Sequence, residues 1–180
     1  MSRVLVPLAQ GVEAMEAVIA LDGLRRAGWE VIGAGLRPGV VKASRGVQLV
    51  PDADWDSLNV EDFDALVIPG GSEGVDNLKA DQRVLAAVRS LFQKGKLLGA
   101  ICAGPLVLQA AGVLDGRKAT CHPAVADQLI SADYVNEPVV VDGHLITSRG
   151  PGTSFLFVLA IIEKIAGAAK ALEVRQGLEL

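Results

Sequence analysis

The chain has 180 residues, 51% of them hydrophobic and 21% charged, with 17 Lys and Arg against 21 Asp and Glu, a net charge of −4 and a mean hydropathy of +0.39. This composition is too apolar for a disordered chain, and the length suits one domain that buries roughly two thirds of its unfolded surface. No basic run points to nucleic acid, no apolar stretch reaches bilayer length, and two cysteines and two histidines lacking CxxC or HxxxH spacing argue against a disulfide framework or a metal site.

The first residues, MSRVLVPLAQ, hold an apolar stretch too short and too broken for a signal peptide, so the cytoplasm is the expected location. RVLVPLA reads as a first strand, followed by a helix from Val12 to Ala27 that stops at Gly28 after Arg25 and Arg26. WEVIGAGL is a second strand, VKASRGVQLVPDADW a small β excursion, and DALVIPGG a buried strand ending in a glycine pair. A helix is expected from about Asp76 to Gln93, then a strand KLLGAIC, a helix AGPLVLQAAGVL and a short strand KATC. PVVVDGHLITS reads as a hairpin turning at Asp-Gly, and a long apolar helix from GTSF closes the chain. Continuous apolar strands separated by helices predict an α/β fold, a mostly parallel sheet covered on both faces. In such sheets the ligand site lies at the carboxyl ends of the strands, which gathers Gln10-Gly11, Gly70-Gly71, Cys102 and the turn Ser148 to Pro151.

Cys102, in GAICAGP, falls between a strand and a helix, where small neighbours Ala103 and Gly104 allow a nucleophile elbow. The N-terminus of the following helix favours a thiolate there; the plain alternative is a buried, inert cysteine. Glu16 shares a helix face with Val12, Ile19 and Ala20, so its carboxyl is expected to be buried and either protonated or specifically partnered. A protonated Glu16 beside Cys102 can hydrogen-bond a thiolate or carry a proton for a substrate; alternatively it is a first-turn carboxylate favoured by the helix dipole, a role that fits Glu13 better. His122 sits at a strand end before Pro123, as a general base, an orienting group or a structural residue, and His144 is expected to be solvated at the hairpin turn. Cys121 reads as core. Gly70 and Gly71 either supply backbone N–H groups to an oxyanion or simply make a turn.

GVEAME, VIPGG, AICAGP, CHP and TSRGPGTSF, in that order along nearly the whole chain, resemble the ThiJ/PfpI superfamily, and within it the branch of the parkinsonism-associated deglycase. The resemblance implies a flavodoxin-like sandwich, a homodimer, no cofactor, and a protonated Glu16 hydrogen-bonded to Cys102. It further implies backbone amides from Gly71 and Ala103 at the site, His122 near the sulfur, and Arg45 near a dimer contact that approaches the partner's site. Glu13-Ala14 replaces the adjacent acids of many relatives, and Ala103 stands where the peptidase branch has histidine, which weakens a protease reading. The implied activities are glyoxalase III conversion of methylglyoxal and water to lactate, and deglycation of early adducts on proteins or amino acids, both protective under oxidative stress. The competing expectation is a redox sensor or redox-regulated chaperone in which Cys102 oxidises to sulfinate. A thiol amidase or peptidase ranks behind both.

Overall fold

The computed structural model describes residues 1–180. In β1 (Arg3–Leu8), Val4, Val6 and Leu8 enter one buried cluster and Leu5 the other, the alternation that a pleated strand imposes. The strands β6 (Ala65–Ile68) and β7 (Leu97–Ile101) divide in the same way: Ala65, Val67, Leu97 and Ile101 face one side, and Leu66, Ile68, Leu98 and Ala100 the other. Strands apolar on both sides must be covered on both sides. The helices α1 (Ala14–Arg26), α5 (Ser154–Ala166) and α6 (Ala168–Gly177) cover one face. The other carries α2 (Ser72–Ala80), α3 (Gln82–Gln93) and α4 (Pro105–Ala110). Each fully buried Leu, Ile or Val in these layers contributes about 1.5–3 kcal/mol relative to exposure.

The remaining sheet strands are β2 (Glu30–Gly35), β5 (Ala53–Asp54), β10 (Val139–Asp142) and β11 (Leu145–Ser148). The seven-stranded order is β10-β11-β7-β6-β1-β2-β5, parallel throughout except for the β10–β11 hairpin. From β1 the chain first adds strands on one side and then crosses to β6 on the other, so the order reverses between β1 and β6. That reversal opens a crevice at their carboxyl ends.

Several expected boundaries move. The helix expected from Asp76 to Gln93 begins earlier, at Ser72, and is broken at Asp81, whose backbone is extended (φ −90°, ψ 109°). The Asp81 carboxylate accepts from the Arg83 N–H at 2.9 Å, so it caps α3 instead of continuing α2. The long C-terminal helix likewise breaks at Gly167, at φ 85°. The β excursion is a two-residue hairpin, β3 (Val41–Lys42) with β4 (Gln48–Leu49), followed by β5 on the sheet edge. KATC gives β8 (Lys118–Ala119), which leaves the main sheet and pairs in parallel with β9 (Asp133–Tyr134). In the later hairpin Asp142 pairs with Leu145, so the turn residues are Gly143 and His144, with Gly143 at φ 64°. His144 is half-buried rather than solvated, its ring 5.0 Å from that of Phe92. Cys121 is fully buried in the core. No helix is long and apolar enough to cross a membrane.

Candidate active site

Cys102 lies just past β7 with φ 64°, a left-handed conformation that it shares with only one other non-glycine residue. Such a backbone costs a side-chain-bearing residue roughly 1–2 kcal/mol, so the surroundings must hold it. The Cys102 N–H donates to the Ser148 carbonyl at 2.9 Å, and its carbonyl accepts from the His122 N–H at 2.9 Å. These two bonds tie the elbow to the ends of β11 and of the β8 segment. The chain then turns into α4, and Gly104 passes so close to the Ile68 and Ile101 carbonyls that a Cβ would lie 2.7 and 2.8 Å from them. The sulfur is thereby held at the carboxyl end of the sheet, as in a strand-to-helix nucleophile elbow.

The Glu13 N–H donates to the Gly70 carbonyl at 2.9 Å, which anchors the start of α1 beside the glycine pair. One turn into α1, Glu16 is 1% exposed, and its Oε2 accepts from the Gly70 N–H at 2.7 Å. A Cβ on Gly70 would fall 2.7 Å from that Oε2, 3.0 Å from the Cys102 Sγ and 2.6 Å from the Cys102 Cβ. Carboxyl and thiol therefore share the space that any side chain at position 70 would fill. At Gly71, φ is 91°, and a Cβ would meet the Gly11 carbonyl oxygen at 2.3 Å. Glycine is needed at both positions, for packing at one and for conformation and packing at the other.

Burial pushes the Glu16 carboxyl up to about 7, against the opposing pull of the Gly70 N–H and the Cys102 side chain. Burial also pushes the Cys102 thiol up to about 12, with a charged Glu16 adding to the rise, while the N–H groups of Gly71 and Ala103 favour the thiolate. The two groups form one coupled pair. A proton on Glu16 removes the charge that opposes the thiolate, and its O–H becomes a donor. With Oε2 occupied by Gly70, the free oxygen is the buried Oε1, which has no other protein partner.

The sulfur opens into a cavity of about 440 Å³ bounded also by Glu13, Arg45, Gly71, Ala103 and His122. His122 Nδ1 accepts from the Ala124 N–H at 3.1 Å, so Nε2 carries the ring hydrogen and is a donor.

A model of the DJ-1/PfpI family matches residues 2–164. The chain belongs to the DJ-1/PfpI family. Protein dj-1beta of Drosophila melanogaster is 46% identical to this family member over 97% of the chain and 95% of its own length. The crystal structure of Drosophila melanogaster DJ-1beta superposes with a TM-score of 0.96 at 45% identity, covering 100% of this chain and 99% of that one. A Pyrococcus abyssi protein named a deglycase is 33% identical over 89% of this chain and 98% of its own. A Caenorhabditis elegans protein named glutathione-independent glyoxalase DJR-1.2 is 36% identical over 88% and 85%.

In this DJ-1/PfpI chain, then, Cys102, Glu16, Gly70, Gly71, Ala103 and His122 converge from four separate stretches of sequence. Arg45 also borders the cavity, exposed on the turn between β3 and β4. The four segments expected at the carboxyl ends do meet there, with the Gly11 carbonyl against Gly71 and the Gly150 Cα beside the His122 ring. Sequence reasoning missed Ser44, Ser72, Glu73, Ala124 and Val125 in the cavity wall. Glu13, assigned only a dipole role, caps α1, borders the cavity and accepts from Ser44 Oγ at 2.9 Å. Its place three residues before Glu16 in GVEAME was the available signal.

Proposed function

We propose that this protein is a cofactor-independent enzyme of the glyoxalase III and deglycase type, acting on methylglyoxal and related carbonyl adducts through Cys102. The observation that carries the reading is the shared space at Gly70, where a buried carboxyl and an elbow thiol meet under the N–H groups of Gly71 and Ala103. The deglycase and glyoxalase names borne by two relatives point to the same chemistry.

The Cys102 thiolate attacks the aldehyde carbon, forming a C–S bond while the carbonyl electrons move to oxygen. The N–H groups of Gly71 and Ala103 hold that oxyanion until it takes the Glu16 proton and becomes a hemithioacetal. The Glu16 carboxylate then removes the proton from the sulfur-bearing carbon, giving an enediolate, and returns it to the adjacent carbon as the hydroxyl proton of the first carbon passes to the second oxygen. The first carbon is thus oxidised and the second reduced, with no external electron acceptor. Water attacks the resulting thioester, the C–S bond breaks, and lactate and the thiol are released. In deglycation the same attack begins with C–N cleavage, the amine nitrogen taking a proton as it leaves. His122, a donor at Nε2, holds the second substrate oxygen rather than acting as the base.

The enzyme works as a homodimer in the reducing cytoplasm. In support of a dimer, the packed pair α1 and α5 leaves Met15, Val18, Phe155 and Leu156 exposed to solvent. The test is lactate formation from methylglyoxal without glutathione or metal, for wild type, Cys102→Ser and Glu16→Gln. Turnover in the wild type and its loss in both folded variants is the expected result. No lactate from folded, reduced wild type overturns the reading.

A further inference from the structure

Glu73 separates two cavities. On one side lies the Cys102 cavity; on the other, at the carboxyl ends of β1 and β2, is a second of about 390 Å³. Glu73 is the residue that lines both. The Glu73 side chain lies over Gly11, with its Cβ 2.5 Å from where a Gly11 Cβ would be, and the Gly11 carbonyl abuts Gly71, whose N–H faces the Cys102 sulfur.

The second cavity has a rigid polar frame and a half-apolar lining. Gln10 bridges the β3 region, donating to the Val40 carbonyl at 3.0 Å and accepting from the Lys42 N–H at 2.8 Å. Asn77 Nδ2 donates to the Gln10 carbonyl at 2.9 Å, leaving its Oδ1 free. Leu8, Leu36 and Val41 supply apolar surface. Asp81 is occupied by Arg83, so the unspent charges in the lining are the Arg37 guanidinium and the Glu73 carboxylate.

The distribution of arginines gives this pair its meaning. Arg3, Arg25, Arg26, Arg83, Arg89, Arg117 and Arg175 each hold a carboxylate or a carbonyl of the chain. Arg37, Arg45 and Arg149 hold none, and each borders one of three adjoining cavities at this end of the sheet. Guanidinium groups without internal partners around a site are suited to anionic ligands, above all to the planar fork of a carboxylate.

We infer that the Arg37–Glu73 cavity is a subsite for the amino-acid half of a glycated α-amino acid with an apolar side chain: carboxylate on Arg37, α-nitrogen at Glu73, and the carbonyl-derived carbon across the ridge at Cys102. This rests on the proposed deglycase chemistry, but the subsite binds the free amino acid whether or not turnover follows.

The test is therefore binding, by amide chemical-shift titration of the full chain, with L-leucine and with leucinamide, which lacks the carboxylate. L-leucine should shift Leu36, Arg37 and Asn77 signals, leucinamide should bind about tenfold more weakly, and Arg37→Ala should abolish that difference. In parallel, Arg37→Ala should leave turnover of free methylglyoxal unchanged while raising KM for the methylglyoxal–leucine adduct. Leucine that shifts none of these signals, or binds Arg37→Ala as well as wild type, overturns the subsite. A wild type that binds leucine this way but makes no lactate supports the subsite and overturns the chemistry alone.

Discussion

Replacing Glu16 by glutamine separates the cost of a buried carboxyl from its chemical use. Glu16 is held up to about 7, against an ordinary value of 4.5. Each tenfold change in proton affinity corresponds to about 1.4 kcal/mol, so ionising Glu16 in the folded protein costs about 3 kcal/mol more than in the unfolded chain. Because the value is raised in the fold, the native state binds more protons between these limits. Stability is therefore lost as pH rises from 4.5 to about 7 and is level above that for this group. Glutamine has no such term. Its amide can still accept from the Gly70 N–H, and any cost of the buried NH₂ is the same at every pH. Urea denaturation of both proteins under reducing conditions, from pH 4.5 to about pH 8, isolates the effect as a difference of differences. The stability of Glu16→Gln minus that of wild type should grow by about 3 kcal/mol across this range, or about 6–12 °C in Tm for a domain of this size. Depressed carboxylates such as Asp64 and Asp81 lose their contribution at the acid end in both proteins and cancel. A difference that stays constant from pH 4.5 to about 8 would refute the claim that burial, rather than ionised pairing, governs Glu16.

Gly70→Ala places a methyl between sulfur and carboxyl; it should cost about 1–3 kcal/mol by denaturation and, by moving the pair on the order of 1 Å, at least about 100-fold in lactate formation. Wild-type turnover in this variant contradicts the geometry. Asp81→Ala removes the cap of α3 and a partner of Arg83, lowering stability by about 1–2 kcal/mol with turnover unchanged; a drop in turnover would tie the α2–α3 break to the site. Mild peroxide should add oxygen, read by intact mass, at half-buried Cys102 and not at fully buried Cys121, and Cys102→Ser should stay unmodified; equal labelling of Cys121 would show that exposure does not control reactivity here.

The parts of the site that could be read from sequence were those fixed by local pattern. Cys102 stood out because a strand-length apolar run ended in small residues around a thiol, and Glu16 because helical spacing placed a carboxylate among apolar neighbours. The sheet followed from continuous apolar strands. What escaped depended on choices between near-equal local states or on tertiary approach. Asp81 can continue a helix or cap one, and it caps because its side chain reaches the Arg83 N–H. Ser44 and Glu73 join the site only because the β3–β4 hairpin and α2 fold against Gly11, a contact with no signature in either segment. His144 carries no sign in the turn sequence that Phe92, on a helix far earlier in the chain, covers its ring.

The left-handed backbone at Cys102 sets durability against reactivity at one residue. Glycine would relax there, and Cys102→Gly should leave a sturdier fold by about 1 kcal/mol with no nucleophile. Selection for thermal endurance alone would drift toward that glycine, so the thiol persists only while its chemistry is demanded. Attempts to harden this protein therefore do better at the sheet edges and helix ends, leaving the elbow in its tension.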